Sequence, residues 1–207
     1  MKPAVLFFTI LAVAWQALGQ QFPSEVWHEG KVVLTNDQTH KGLIKYNLEG
    51  DLIQINNNNT LRAYSSKKIL YFEIFDETVE SYRQFYSLPY QVSEDYETPI
   101  LFEVLYEGRS LTLLAREMIS TESVAPYNSY YGRSSYYYTR NKLVYQYYFL
   151  DEKGRITWYS NKKRDLVRIM SKQSVAIKKF IGNHNLNVDR RRDLERITAY
   201  YNTLEEG

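Results

Sequence analysis

The chain has 207 residues, 26 lysines and arginines against 24 aspartates and glutamates, and no cysteine. That excludes a disulfide scaffold, a cysteine nucleophile and a lipid-modified cysteine, while the length is ample for a core without covalent staples. The near-neutral total hides an asymmetry: residues 21–159 hold 14 basic and 18 acidic side chains, and residues 160–207 hold 11 and 6.

Residues 1–19 have the layout of a secretory signal peptide: Lys2, an uncharged apolar run over 4–15, then Ala17-Leu18-Gly19 with small residues at the positions a signal peptidase reads. Cleavage is expected after Gly19. The run is shorter than the ~20 apolar residues of a membrane span, and no later stretch is long enough, so no transmembrane segment is expected after cleavage.

The next 140 residues read as strands. Ile44, Tyr46 and Leu48 alternate with polar residues, as do Ile53 and Ile55, and Glu49-Gly50 lies between the two runs. An earlier run covers 30–35, and Asn56 to Asn59 make a turn. Residues 69–75 are apolar on both faces and predict a central strand, with 82–88 its partner. Pro89 and Pro99 bracket an acidic stretch that reads as a loop. Glu107-Gly108 and Asp151-Glu152-Lys153-Gly154 are two more hairpin turns. Nothing alternates strand with long helix, so a parallel α/β sheet is not expected.

Residues 120–142 differ in composition. Tyr127, Tyr130, Tyr131, Tyr136, Tyr137 and Tyr138 stand among Asn, Ser, Gly and Arg, with no aliphatic residue between Ala125 and Lys142. Such a segment has nothing to build a core with and reads as a surface loop. Tyrosine with arginine, serine and glycine suits an adaptable contact surface, so Tyr130, Tyr131, Tyr136, Tyr137 and Tyr138 are the candidate binding residues.

From residue 160 the period changes to that of helices. Asn161 is a candidate N-cap, and Leu166, Ile169 and Met170 share a face. Ala176, Ile177, Phe180 and Ile181 belong to a second helix that stops at Gly182-Asn183. Asn187 is a candidate cap for a third, whose stripe is Leu194, Ile197, Tyr201 and Leu204. The expected fold is α+β: an antiparallel β-meander, as open sheet, half-barrel or sandwich, with a small basic C-terminal subdomain of two or three short helices. The organisation is 1–19 signal peptide, 20–159 β-rich domain, 160–207 helical subdomain.

Catalytic motifs are thin. His28, His40 and His184 are far apart and lack metal-ligand spacing, so no metal and no cofactor is expected. There is no Gly-x-Ser-x-Gly elbow and no glycine-rich phosphate loop. Glu73, Glu103 and Glu117 lie within strands, facing either one another, as glycoside hydrolysis requires, or solvent. Asn58-Asn59-Thr60 matches an N-glycosylation acceptor. Arg190-Arg191-Arg192 on short helices suggests nucleic acid, but export argues against that partner.

The signal peptide, the stretch from Gly42-Leu43-Ile44-Lys45-Tyr46 to Leu61-Arg62-Ala63-Tyr64, the strand over 69–76 and the closing Ala199-Tyr200-Tyr201-Asn202 resemble exported proteins of unknown function from Bacteroidetes-type bacteria. The resemblance implies a periplasmic or extracellular setting and carries over no functional residue. The chain ends in a helix rather than a β-sandwich sorting domain, which favours the periplasm. Two functions follow as expectations. One is a non-enzymatic envelope protein acting in binding or assembly, with another envelope protein or a polysaccharide as partner. The other is a hydrolase of polysaccharide or peptide that uses paired carboxylates.

Overall fold

A computed structural model describes residues 21–124 and 138–206. Ten strands form one antiparallel sheet: β1 (His28–Leu34), β2 (Thr39–Asn47), β3 (Leu52–Asn57), β4 (Thr60–Ser65), β5 (Ile69–Asp76), β6 (Ser81–Ser93), β7 (Tyr96–Tyr106), β8 (Leu111–Val124), β9 (Tyr138–Asp151) and β10 (Ile156–Tyr159). Three helices follow: α1 (Lys163–Ile169), α2 (Ser174–Asn183) and α3 (Arg191–Glu206). The expected α+β meander with a small helical subdomain is what forms, and the sheet is open. Chain reversals fall at Gly50, Gly108 and Gly154, where glycine turns were expected. Asn58 and Asn59, both at positive φ (48° and 62°), make the two-residue turn between β3 and β4; asparagine tolerates that region, and its twist matches the strands it joins.

Strand order is β10-β9-β8-β7-β6-β5-β1-β2-β3-β4. The chain therefore returns from β4 to the far side of β1, through only the 3₁₀ turn Ser66–Lys68. In a flat sheet β4 and β5 would be about 19 Å apart, four spacings of ~4.8 Å. The link from Ser65 to Ile69 spans at most about 15 Å. The first half of the sheet must curl, and its inner face closes on a core of Val32, Ile44, Tyr46, Ile53, Ile55, Phe72, Ile74, Phe85 and Leu101, all nearly inaccessible.

The acidic stretch expected as a loop between Pro89 and Pro99 is mostly ladder. β6 runs through Pro89, β7 starts at Tyr96, and the two prolines are opposite partners. Neither costs a ladder hydrogen bond, because each lies where its strand has no neighbour on the other side: β5 pairs with β6 only as far as Tyr86, and β8 pairs with β7 only over Glu103–Tyr106. On that free edge of β7, Asp51 and Arg116 stand in for a strand. Leu101 N–H donates to Asp51 Oδ1 (2.8 Å), and Arg116 Nη1 donates to Leu101 O (2.8 Å) and to Asp51 Oδ1 (2.8 Å).

The β8–β9 ladder continues to Val124 opposite Tyr138. Strand thus enters the tyrosine-rich segment further than the boundary near 120 expected from its composition. Without aliphatic side chains, cross-strand backbone pairing still suffices for Thr, Ser and Tyr.

The helices cover the same face over β7–β9. Leu166, Met170, Ile177, Ile181, Leu194, Ile197 and Tyr201 pack on Leu111, Leu113, Ala115, Tyr147 and Phe149. Two caps differ from expectation. Asn161 sits at φ 60° before α1, whose N-cap position is Lys162, and Ser160 Oγ bonds Asp165 instead. Asn187 does not cap α3; its Oδ1 accepts from Asp189 N–H and closes a turn ahead of Arg191. Asn202 fastens α3 to the sheet: Oδ1 accepts from the N–H groups of Ser110 (2.8 Å) and Leu111 (3.1 Å), and Nδ2 donates to Leu111 O (2.8 Å). A Cβ on Gly108 would come within 2.3–2.5 Å of that amide, so only glycine fits the turn.

Candidate functional site

Where the curled half meets β7, β8 and the helices, the inner face carries charge. Arg83 on β6 is 4% exposed and uses all five donors of its guanidinium. Nε and Nη2 donate to Glu103 (3.0 and 2.7 Å), Nη2 also to Glu117 Oε2 (2.8 Å), and Nη1 to Asp76 Oδ2 (3.0 Å) and the Tyr46 hydroxyl (2.9 Å). The Tyr46 hydroxyl in turn donates to Glu117 Oε1 (2.6 Å). Arg191, in the first turn of α3, reaches Glu103 Oε1 at 3.1 Å. Three buried carboxylates thus face two guanidiniums.

Burial opposes the ionised form of Asp76. Hydrogen bonds from Thr78 (Oγ1, 2.6 Å) and Arg83 outweigh it and hold the carboxyl below its ordinary range. Burial raises the Tyr46 phenol despite Arg83 beside it, so it stays a donor. Burial also disfavours charge on Arg83, but the hydrogen bonds and charge of Glu103 prevail and it stays ionised.

Glu103 and Glu117 therefore come together, and Glu73 does not: it lies on the opposite face, paired with Lys31 at 3.4 Å and Gln84 at 2.9 Å. A cavity of about 410 Å³ between β2, β3 and β8 reaches Tyr46 and Glu117. Every oxygen of Glu103 and Glu117 already accepts from a guanidinium or a hydroxyl. Glu117 accepts one hydrogen bond at each oxygen, and Glu103 accepts one at each with Arg191 beside it, so these contacts fix how both carboxylates are oriented.

The outer face of the curled half is different. Register places Tyr82 beside Phe75, Glu29 opposite Leu43, Leu43 opposite Asn56 and Asn56 opposite Leu61. Because Gly30 is opposite Ile74, Glu29 falls next to Phe75, and one row crosses the strands from β6 to β4. Tyr82, Leu43 and Leu61 are 71%, 42% and 58% exposed. The next row holds Gln84, Glu73, Lys31 and Lys41.

Tyr138 opens β9 opposite Val124. Tyr130, Tyr131, Tyr136 and Tyr137 lie outside the described residues, as does the expected signal peptide. Glu103 and Glu117 were expected in strands, facing one another or solvent, while Arg83 and Asp76 escaped the sequence reading, although alternation held the signal: Arg83 is two residues from inward Phe85, Glu103 two from Leu101, and Glu117 two from Ala115. The histidines serve packing. His28 Nε2 donates to Pro23 O (2.7 Å), His40 stacks on Tyr64, and His184 lies tilted against Phe180. No family model, no curated protein and no solved structure matches the chain.

Proposed function

We propose that the chain is an exported envelope protein that works by binding or assembly rather than catalysis. The observation that carries this reading is the outer-face row in which Tyr82, Leu43 and Leu61 face solvent, flanked by amides and paired charges. Exposed apolar side chains gathered on one sheet face mark interaction sites. Export is supported by the layout of residues 1–19 and by Phe22, buried three residues past the expected cleavage site. The resemblance to exported Bacteroidetes-type proteins points to the same compartment.

A hydrolase of polysaccharide or peptide is the second reading, favoured by Glu117 on the wall of the 410 Å³ cavity. One experiment separates the two. Cells are fractionated and crosslinked through lysines, and the purified mature protein is incubated with envelope glycans and peptides. Binding predicts crosslinks from Lys31 or Lys41 to an envelope component and no cleavage. Turnover that disappears in Glu117→Gln would overturn it, as would recovery of the native protein from the cytoplasm.

A further inference from the structure

We infer that the outer face of the curled half is a groove for a neutral glycan chain, a site that rests on the binding reading above. Two cavities of about 490 and 580 Å³ adjoin there and share Glu29, Gly30 and Lys41. The first is walled by Asn56 to Asn59 and Leu43, the second by Lys31, Glu73, Phe75 and Tyr82. Together they cross five neighbouring strands, from β3 through β2, β1 and β5 to β6, a path of about 19 Å around the curled sheet at ~4.8 Å per spacing. That length suits several linked sugar rings and exceeds a single small molecule.

Three observations choose the ligand class. The apolar row offers flat or broad surfaces at intervals: Tyr82, standing edge-on to Phe75 at 5.1 Å, then Leu43 and Leu61. Sugar rings present C–H faces that pack on such surfaces while their hydroxyls remain available at the rim. The charged residues of the groove are two carboxylates, Glu29 and Glu73, and two ammonium groups, Lys31 and Lys41; their balance leaves no net field for an anionic polymer and supplies both acceptors and donors. Lastly, Asn56 Oδ1 is buried against the first cavity and no group among the described residues donates to it. A buried acceptor costs free energy unless a donor reaches it, and a hydroxyl of the glycan is such a donor.

The test is affinity gel electrophoresis of the mature protein through soluble β-glucan, xylan and mannan, with alginate as the anionic comparison. Tyr82→Ala, Asn56→Ala and Trp158→Ala serve as variants, each first checked for an unchanged melting temperature. Trp158 is an exposed ring on β10, away from the groove. The expected result is retardation by at least one neutral glycan and none by alginate, with Tyr82→Ala weakening binding about tenfold, Asn56→Ala weakening it several-fold, and Trp158→Ala leaving it unchanged. Glycan binding that survives both groove variants moves the site elsewhere and overturns the inference. Failure of every neutral glycan, with Lys31 or Lys41 crosslinked to an envelope protein, overturns it while leaving the binding reading intact. Cleavage of a retarding glycan overturns both.

Discussion

Replacing Arg83 by methionine keeps much of the side-chain volume and leaves Asp76, Glu103 and Glu117 buried, with Arg191 still paired to Glu103. Breaking a buried ion pair from one side costs about 3–5 kcal/mol, so urea unfolding of Arg83→Met should show at least that loss. Arg83→Lys should recover little of it, because an ammonium cannot span Glu103 in two bonds. Asp76 adds a pH dependence. Its folded carboxyl titrates below the ordinary value of about 3.9, so its contribution is complete above that pH and is lost as pH falls through the lower folded value. Stability measured against pH should therefore fall more steeply on the acid side in the native protein than in Asp76→Asn. Asn202 is a second residue whose partners cannot be replaced by water: Asn202→Ala orphans the Ser110 and Leu111 N–H groups, and should cost about 2–6 kcal/mol at 1–3 kcal/mol for each buried group left unpaired.

At the scale of elements, α3 is held by Leu194 and Ile197, both wholly buried. Ile197→Asp places a charge among Leu113, Phe149 and Tyr201 and should lower stability by more than about 4 kcal/mol, read as a fall in melting temperature and in helical dichroism. Unchanged values would show that the stripe is not seated on the sheet. The hairpins were legible in the sequence because alternation and glycine turns are local. So was the stripe of α3. The course of β6 and β7 through Pro89 and Pro99 was not, because a proline's cost depends on which neighbour is missing, and that is set by where β5 ends and β8 departs. The starts of α1 and α3 were misplaced by one and three residues for a similar reason: Asn187 is as good at closing a turn as at capping a helix, and Asp193, which accepts from Asn187 N–H at 2.9 Å, decides between the two. Of the candidate site, Glu103 and Glu117 were visible as strand carboxylates, but the arginine that occupies them is 20 and 34 residues away and leaves no local mark.

For the whole molecule, the first test is compartment: protein purified from its native host should begin at Gln20 or Gln21 by intact mass, and a chain still carrying Met1 would refute export with cleavage. The charged junction has a further consequence. Its members come from β2, β5, β6, β7, β8 and α3, so residue 46 and residue 191 must both be in place before it is complete. Contacts that join such distant parts of a chain form late, after most loop-closure entropy has been spent. The junction then acts as a latch on the finished protein rather than a nucleus for making it. Stopped-flow kinetics should show the whole penalty of Arg83→Met in a faster unfolding arm, with the refolding arm almost unmoved. Wherever unfolded chains meet proteases, such a latch sets how long each molecule lasts rather than how readily it folds.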